Sequence, residues 1–179
     1  SQHGPWLLNE TAKAGEDSAF VKFVEDREHI SIIEFSGDYH RNLANGDFNI
    51  LPRAKVAEEF YAHHPDDYDF LIVFTTFEFD TSSATAFHIG AQNQVQGIGL
   101  PIYDDTAVFG SVGKLQGFID MAATTRYEFD RAQPGFDLVL GVMAHEIMHQ
   151  WGTFVRFQDS HGNTSDALLG KDGSHWSFL

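Results

Sequence analysis

The segment at residues 136–151 limits the fold of this chain more than any other stretch. Its side chains are almost all apolar, but His145, Glu146 and His149 interrupt the run near its end. The length, the lack of an internal proline and the Gly152 that follows are typical of an α-helix that ends at a glycine C-cap. Because apolar residues occupy nearly every other position, the pattern predicts a helix that is buried on most of its sides.

The three polar residues form the pattern H-E-x-x-H, which starts at His145 and ends at His149. Two residues four positions apart lie about 40° apart around a helix and one turn along it. Both imidazoles can therefore reach one Zn²⁺, while Glu146 lies beside them and can accept a proton from an activated water. Because unpaired polar groups are costly inside a helix of this kind, the alternative is a buried hydrogen-bonded cluster without metal.

The remaining patterns predict several strands and one further helix. Runs rich in β-branched and aromatic residues predict strands at 29–35, 69–77 and 86–89, and a short edge strand at 106–109. Pro52 followed by an apolar stripe predicts a helix at 54–63. The segment at 113–127 is compatible with either a helix or a strand. His88 lies on a short predicted strand and is interpreted as structural.

The order of these elements predicts the fold class. A strand, a helix and a strand in succession predict a parallel pair with a right-handed crossover. We therefore expect an α/β (α+β) fold, in which a twisted, mixed, mostly parallel sheet packs against two main helices. Residues 1–28 are expected to be a loosely ordered lead-in, and residues 29–179 a single domain. The apolar last residues lead us to expect a domain that is cut from a longer protein.

Composition excludes several classes of partner and of metal site. The formal net charge of −15 disfavours nucleic acid and anionic membranes as partners. No apolar run reaches the about 18 residues of a membrane-spanning helix. The absence of cysteine excludes disulfides and thiolate ligands, so any metal must be bound by His and carboxylate groups. The acidic clusters at 66–69 and 103–105 suggest Ca²⁺ binding, with a solvated surface as the alternative.

The element order and the H-E-x-x-H helix with Gly152 after it resemble the zincin superfamily of zinc metalloproteases. The resemblance covers the element order from about residue 29 to 152, and its specific motif covers 145–152. It implies that His145 and His149 are zinc ligands and that Glu146 is the catalytic base. It also implies a cleft between this helix and an edge strand that receives a peptide by strand addition.

A catalytic zinc usually takes three protein ligands, so a third must lie elsewhere in the chain. No Glu follows Glu146, which departs from zincins whose third ligand is a downstream Glu. Val155 stands at the last His position of the metzincin pattern, and no Met follows Met148. We favour His175, because its Gly-rich surroundings allow tight turns back over the helix, as in bacterial zincins with a distant downstream His. The alternatives left open are Asp159, Asp166 and His161.

We therefore predict a zinc-dependent metallopeptidase that acts on peptides or proteins through a zinc-activated water, with Glu146 as general base. Two alternatives stay open: a non-catalytic binding or adhesion module that holds a metal, and a zinc amidase acting on a non-peptide substrate. The acidity and the lack of cysteine favour a secreted or cell-surface bacterial protein, although residues 1–5 show no signal-peptide pattern. The candidate oxyanion donors are Arg156, His161, Tyr103 and Tyr127.

Overall fold

The structure, a computed structural model, describes residues 19–152, 154–170, 173 and 175. Within these residues the chain is a mixed α/β domain with small sheets and two α-helices. The strands are β1 (Phe20–Arg27), β2 (Ile30–Ser36), β3 (Phe70–Thr75), β4 (Phe87–Gly90), β5 (Gln92–Asn93), β6 (Tyr103–Asp104), β7 (Gly117–Ala123), β8 (Phe157–Gln158) and β9 (Thr164–Ser165). The helices are α1 (Leu51–His63) and α2 (Phe136–Met148). The 3₁₀ turns are Thr106–Phe109, Thr124–Arg126 and His149–Trp151.

Strands β1 and β2 form an antiparallel hairpin that packs against α1. The hairpin is tied to the helix where the Phe23 amide donates a hydrogen bond of 2.7 Å to the Glu59 carboxylate. The ring of Phe23 also stacks on His63, with ring centroids 4.2 Å apart. The predicted lead-in is therefore too long, because β1 lies inside the predicted 1–28 segment and is paired along its length. Residues 1–18 lie outside the described residues.

The central sheet has three strands in the order β3-β7-β4. Strand β3 runs parallel to β7, whereas β4 runs antiparallel to it. The prediction of a mostly parallel sheet is wrong for the described residues, since the other strand pairs, β1-β2, β5-β6 and β8-β9, are antiparallel too. The predicted crossover pair is also wrong, because β2 pairs with β1, and β3 finds its parallel partner in the later strand β7.

Strand β7 separates two apolar clusters, because alternate side chains of a strand point to opposite faces. Phe118 and Ala122 belong to the cluster with α1 and the hairpin, whereas Ile119 and Met121 pack against α2. Every residue of β7 is buried, as expected for a strand covered on both faces. The sheet therefore forms the middle layer. Helix α2 lies directly against β7, which is the neighbour of the edge strand β4.

A buried ion pair joins α1 to β7. The Arg53 guanidinium donates to the Asp120 carboxylate at 3.0 Å, and both side chains are fully buried. Arg53 also donates to the backbone carbonyls of His40 and Asn49 at 3.1 and 3.2 Å. Removing one partner of such a pair costs about 3–5 kcal/mol, because the other charge stays buried without compensation. The pair fixes the β7 backbone beside the left-handed Ala122, whose amide donates to Asp120.

Three further predictions of local structure can be compared with the fold. The helices predicted at 54–63 and about 136–151 are confirmed, the second as α2 continued by a 3₁₀ turn. The edge strand predicted at 106–109 is wrong, because these residues form a 3₁₀ turn that begins after Asp105 and ends at Gly110. Gly110 has a φ of 75° and a Cβ there would meet the α1 backbone at 3.0 Å, so a glycine is required.

Helix α2 is less buried than its composition predicts. Val139 and Glu146 are its buried residues, whereas Leu138, Leu140 and Met148 expose 61%, 43% and 60% of their surface. The prediction of a helix buried on most sides is therefore wrong among the described residues. None of the described helices combines the length and the apolar character needed to cross a membrane.

Candidate metal centre

The end of α2 carries the residues of the predicted metal site. His145 and Glu146 lie in its last turn, and His149 begins the 3₁₀ turn that follows. His149 is buried at 5% exposure, whereas His145 is open to solvent. Because the pair is four residues apart, the two rings lie on one side of the helix, with centroids 4.8 Å apart.

His175 completes a cluster of three imidazoles. One ring nitrogen from each of His145, His149 and His175 lies within 4.8 Å of the other two. The ring of His175 lies 5.3 Å from that of His145 and 4.7 Å from that of His149. A turn brings His175 back to the helix: its carbonyl accepts a hydrogen bond from the Gly170 amide, and Gly173 has a left-handed φ of 65°. The structure thus places His175 where the glycine-rich sequence predicted it.

The other candidates for the third ligand lie outside this cluster. Asp159 closes the β8-β9 hairpin, where its carboxylate accepts the amides of His161 and Asn163 at 2.8 and 2.9 Å. These amides hold the pKa of Asp159 below its usual value. Asp166 accepts the Leu169 amide through its backbone carbonyl. Among the described residues, only the three histidines form a group that could hold a metal ion.

The local environment keeps His145 in the form that binds metal. Partial burial of the ring lowers the pKa of His145, and the neighbouring His175 imidazole lowers it further. A lowered pKa means that the neutral ring, which has a free nitrogen lone pair, persists to a more acidic pH. His145 is therefore arranged to offer a lone pair rather than a positive charge to the centre of the cluster.

Glu146 is a buried carboxyl group beside the histidines. Its side chain comes within 3.9 Å of the His149 imidazole, and the residue is 7% exposed. Burial raises the pKa of Glu146 to about 7, although the His88 backbone amide donates a hydrogen bond that opposes this. A carboxyl group with a pKa near neutrality is suited to accept and return a proton at physiological pH.

The raised pKa of Glu146 predicts how the metal-free protein responds to pH. Ionising a group whose folded pKa is about 7 instead of 4.5 costs stability, so the free energy of unfolding should fall as pH rises through that window. The Glu146→Gln variant should lack this fall and be more stable than wild type at pH 8, by at most about 3 kcal/mol. Urea denaturation at pH 4.5 and 8 with a chelator present tests this.

A matched control comes from the exposed carboxylate of Glu34 on β2. The Glu34→Gln variant should keep the same loss of stability between pH 4.5 and pH 8 as the wild type. Equal pH dependence in wild type and Glu146→Gln would show that Glu146 ionises in the folded protein as easily as in the unfolded chain.

His88 is a site residue whose position the sequence analysis did not predict. It is fully buried on β4, and its ring lies 6.4 Å from that of His149 at an interplanar angle of 28°. Gly117 on β7 makes room for it, because a Cβ there would lie 2.5 Å from His88 Nε2. The position of His88 follows from the pairing of β4, which carries His88, with β7, which carries Gly117. That pairing cannot be predicted without the strand register.

Gln150 fixes the 3₁₀ turn that carries His149. Its buried side-chain amide donates to the Gln92 carbonyl at 2.8 Å, and Gln92 donates in turn to the carbonyls of Gly113 and Leu115. These hydrogen bonds satisfy polar groups inside the protein. They attach the end of α2 to β5 and to the segment that precedes β7. The backbone that carries His149 is therefore held from the sheet side.

An open cleft of about 560 Å³ lies over the histidines. One wall is the segment 83–87 that leads into β4, and the other is the first half of α2 from Asp137 to Val142. Arg41 lines the same cleft and was also missed, because no predicted helix or strand includes it. The predicted cleft between the helix and an edge strand is present in the described residues.

The candidate oxyanion donors do not line this cleft among the described residues. The Tyr127 hydroxyl donates to the Thr85 carbonyl at 3.4 Å, and Tyr103 lies on the short strand β6. The calcium hypothesis finds no ligand cluster in the described residues: Asp66 accepts the amides of Val112 and Lys114. Asp104 likewise accepts hydrogen bonds from Thr106.

The chain was compared with protein-family models, with curated proteins and with solved structures, and no match was found in any of the three.

Proposed function

We propose that this chain is a zinc-dependent metallopeptidase. The observation that carries the proposal is the cluster of His145, His149 and His175, whose ring nitrogens lie within 4.8 Å of one another beside the buried Glu146. The cluster opens on a cleft, which a purely structural metal site does not require. The histidine cluster, the buried Glu146 and the cleft together support a catalytic metal site better than a purely structural one.

The donor set fits zinc. Three neutral imidazoles and a free fourth position are typical of catalytic zinc, and the chain has no cysteine for a closed thiolate site. Nitrogens bound at about 2.0–2.1 Å in a tetrahedron are about 3.4 Å apart, so the observed spacing is within reach of small side-chain rotations. Imidazole also suits other first-row metals, and the choice of zinc rests on the combination with Glu146 and on the resemblance to zincins.

Each residue of the site would have a distinct role in peptide hydrolysis. His145, His149 and His175 would hold zinc, which supplies Lewis acidity toward a water and the scissile carbonyl. Glu146 would accept the proton of the attacking water and deliver it to the leaving amine. The His88 amide orients the Glu146 carboxylate, and Gln150 holds the turn at His149.

The segment that leads into β4 offers a backbone edge for a peptide substrate, since it lines the cleft, whereas β4 itself is buried. Strand β4 is the outer strand of the central sheet and pairs with β7 from Phe87 to Gly90. The His88 amide is directed to Glu146 on α2, and by the two-residue alternation of a strand the backbone groups of Ala86 point the same way. A peptide added antiparallel to this edge would lie across the histidines, as the resemblance to zincins implies.

Removal and return of metal test the proposal. Protein stripped by a chelator should not cleave an unfolded protein substrate, and one equivalent of zinc per chain should restore cleavage. Magnesium at the same concentration is the matched control and should not restore it, because imidazole is a poor ligand for magnesium. Absence of cleavage at full zinc occupancy would contradict the proposal and favour a non-catalytic binding module. Export from a bacterial cell is part of the same proposal.

A further inference from the structure

A single guanidinium lines the cleft. Among its lining residues in the described part of the chain, Arg41 alone carries a permanent positive charge. The chain as a whole has a formal net charge of −15, so a cation at this place stands out against an acidic background. The nearby Arg53 is paired with Asp120 in the core and does not line the cleft, whereas Arg41 donates from Nη1 to Asn42 Oδ1 at 3.3 Å.

The structure fixes Arg41 in one position. Its backbone amide donates to the Asp80 carbonyl, and its carbonyl accepts the Asn49 amide, both at 2.8 Å. Its guanidinium lies over the rings of Phe48 and Phe87, 5.7 and 5.4 Å from their centroids. A guanidinium held on aromatic faces loses little further freedom when it binds a carboxylate in a bidentate manner.

The turn beside Arg41 carries backbone strain. Ser82 and Ser83 have φ values of 52° and 68°, in the left-handed region that disfavours residues other than glycine. Asp80 accepts the Ser82 amide, and Asn42 donates to the Ser82 hydroxyl at 3.1 Å, so the turn is held to the segment that carries Arg41. Strained positions of this kind concentrate at ligand-binding sites. Ser83 itself lines the cleft.

Arg41 lies over the ring of Phe87 at the start of β4, and this position indicates which part of a bound peptide it would contact. The His88 amide marks the level of Glu146, and the segment 83–87 that lines the cleft precedes it in the chain. A peptide antiparallel to β4 would therefore place the residues that follow its scissile bond along this segment. The ring of Phe87, over which Arg41 lies, belongs to that side.

We propose that Arg41 binds a carboxylate on the part of the substrate that follows the scissile bond, so that the preferred substrates are acidic there. The inference rests on the proposed peptidase function and adds a substrate class to it. The carboxylate is either an Asp or Glu side chain or the free C-terminus of the peptide, because the same guanidinium would bind both.

Four peptides test this with zinc-loaded protein. They share one sequence except that one position after the scissile bond is either Gln or Glu, and each of these two is made with a free and with an amidated C-terminus. Wild type should cleave the preferred acidic form with a kcat/KM about 10-fold to 100-fold above that of the neutral amide. In Arg41→Met, which keeps an unbranched apolar chain over the rings, the ratio should fall to about 1. Preference for Glu identifies a side-chain carboxylate, whereas preference for the free end identifies the terminus.

Arg27 supplies the matched control, since it is exposed on β1 and bonded to Glu25. Arg27→Met should retain the wild-type ratio. A uniform loss of activity on all four peptides in Arg41→Met, with the ratio unchanged, would overturn the inference and assign Arg41 a structural role. Calorimetric binding of the same peptides to zinc-loaded Glu146→Gln reads the preference without turnover. If wild type cleaves nothing, the peptidase proposal fails, and equal binding of all four peptides overturns the Arg41 inference separately.

Discussion

Replacing Glu146 with Gln should lower kcat/KM on a peptide substrate by on the order of 10³-fold while the protein still binds one zinc. Gln has nearly the same shape as Glu but cannot accept the proton of the attacking water. The three histidines are untouched by the change, so the metal should remain. Steady-state cleavage and elemental analysis on the same preparation measure both quantities.

Two outcomes of the Glu146→Gln experiment would contradict the assigned role. Activity within about fivefold of wild type would mean that another group takes the proton. Loss of zinc together with activity would mean that Glu146 acts on the metal site rather than as a base. Glu34→Gln, at an exposed position on β2, is the matched control and should leave cleavage at the wild-type rate.

Replacing His175 with Ala should weaken zinc binding by at least about 100-fold. A catalytic zinc site usually has three protein ligands, and loss of one leaves only the pair on the helix. Changes that only disturb the orientation of a ligand already cost 10-fold to 100-fold in affinity, so loss of the ligand itself should cost no less. Competition with a chelator of known affinity measures the change. Cleavage at limiting zinc should fall in parallel.

The variants His161→Ala and Asp159→Ala serve as controls for His175. Both residues lie in the β8-β9 hairpin and outside the histidine cluster, so their removal should leave zinc affinity within about threefold of wild type. A larger loss in Asp159→Ala than in His175→Ala would move the third ligand to Asp159. Restoration of cleavage in His175→Ala by excess zinc would show that the variant remains folded.

The features of the site that the sequence predicted depend on residues that are close together in the chain. The i to i+4 spacing of His145 and His149 sets their relation within one helix, whatever the rest of the fold does. The glycines around His175 indicated a tight turn, and the left-handed Gly173 bears this out. Helix limits were likewise predictable from Pro52 and from the apolar run of α2.

The parts that the sequence could not predict depend on pairing between distant segments. Strand β3 was assigned to the preceding strand β2, but it pairs with β7, which lies more than 40 residues later in the chain. His88 enters the site only because β4 pairs with β7 and faces Gly117. Arg41 enters the cleft because an irregular segment binds to Asp80 and Asn49. No periodicity within a single segment reports such contacts.

The exposure of α2 has a different cause. An apolar composition predicts burial only if enough partners surround the helix, and the described residues cover mainly the side that faces β7. Leu140 and Met148 lie on the other side and remain open. The sequence therefore predicted a helix here correctly, but its apolar composition overstated how many of the helix faces are covered.

The most direct test of the account is the number of zinc ions that the protein keeps. Wild type and His175→Ala should be loaded with zinc, passed through gel filtration to remove weakly bound ions, and measured by elemental analysis. We expect one zinc per wild-type chain and clearly less than one in the variant. No retained zinc in the wild type, or one zinc in both proteins, would contradict a site built from His145, His149 and His175.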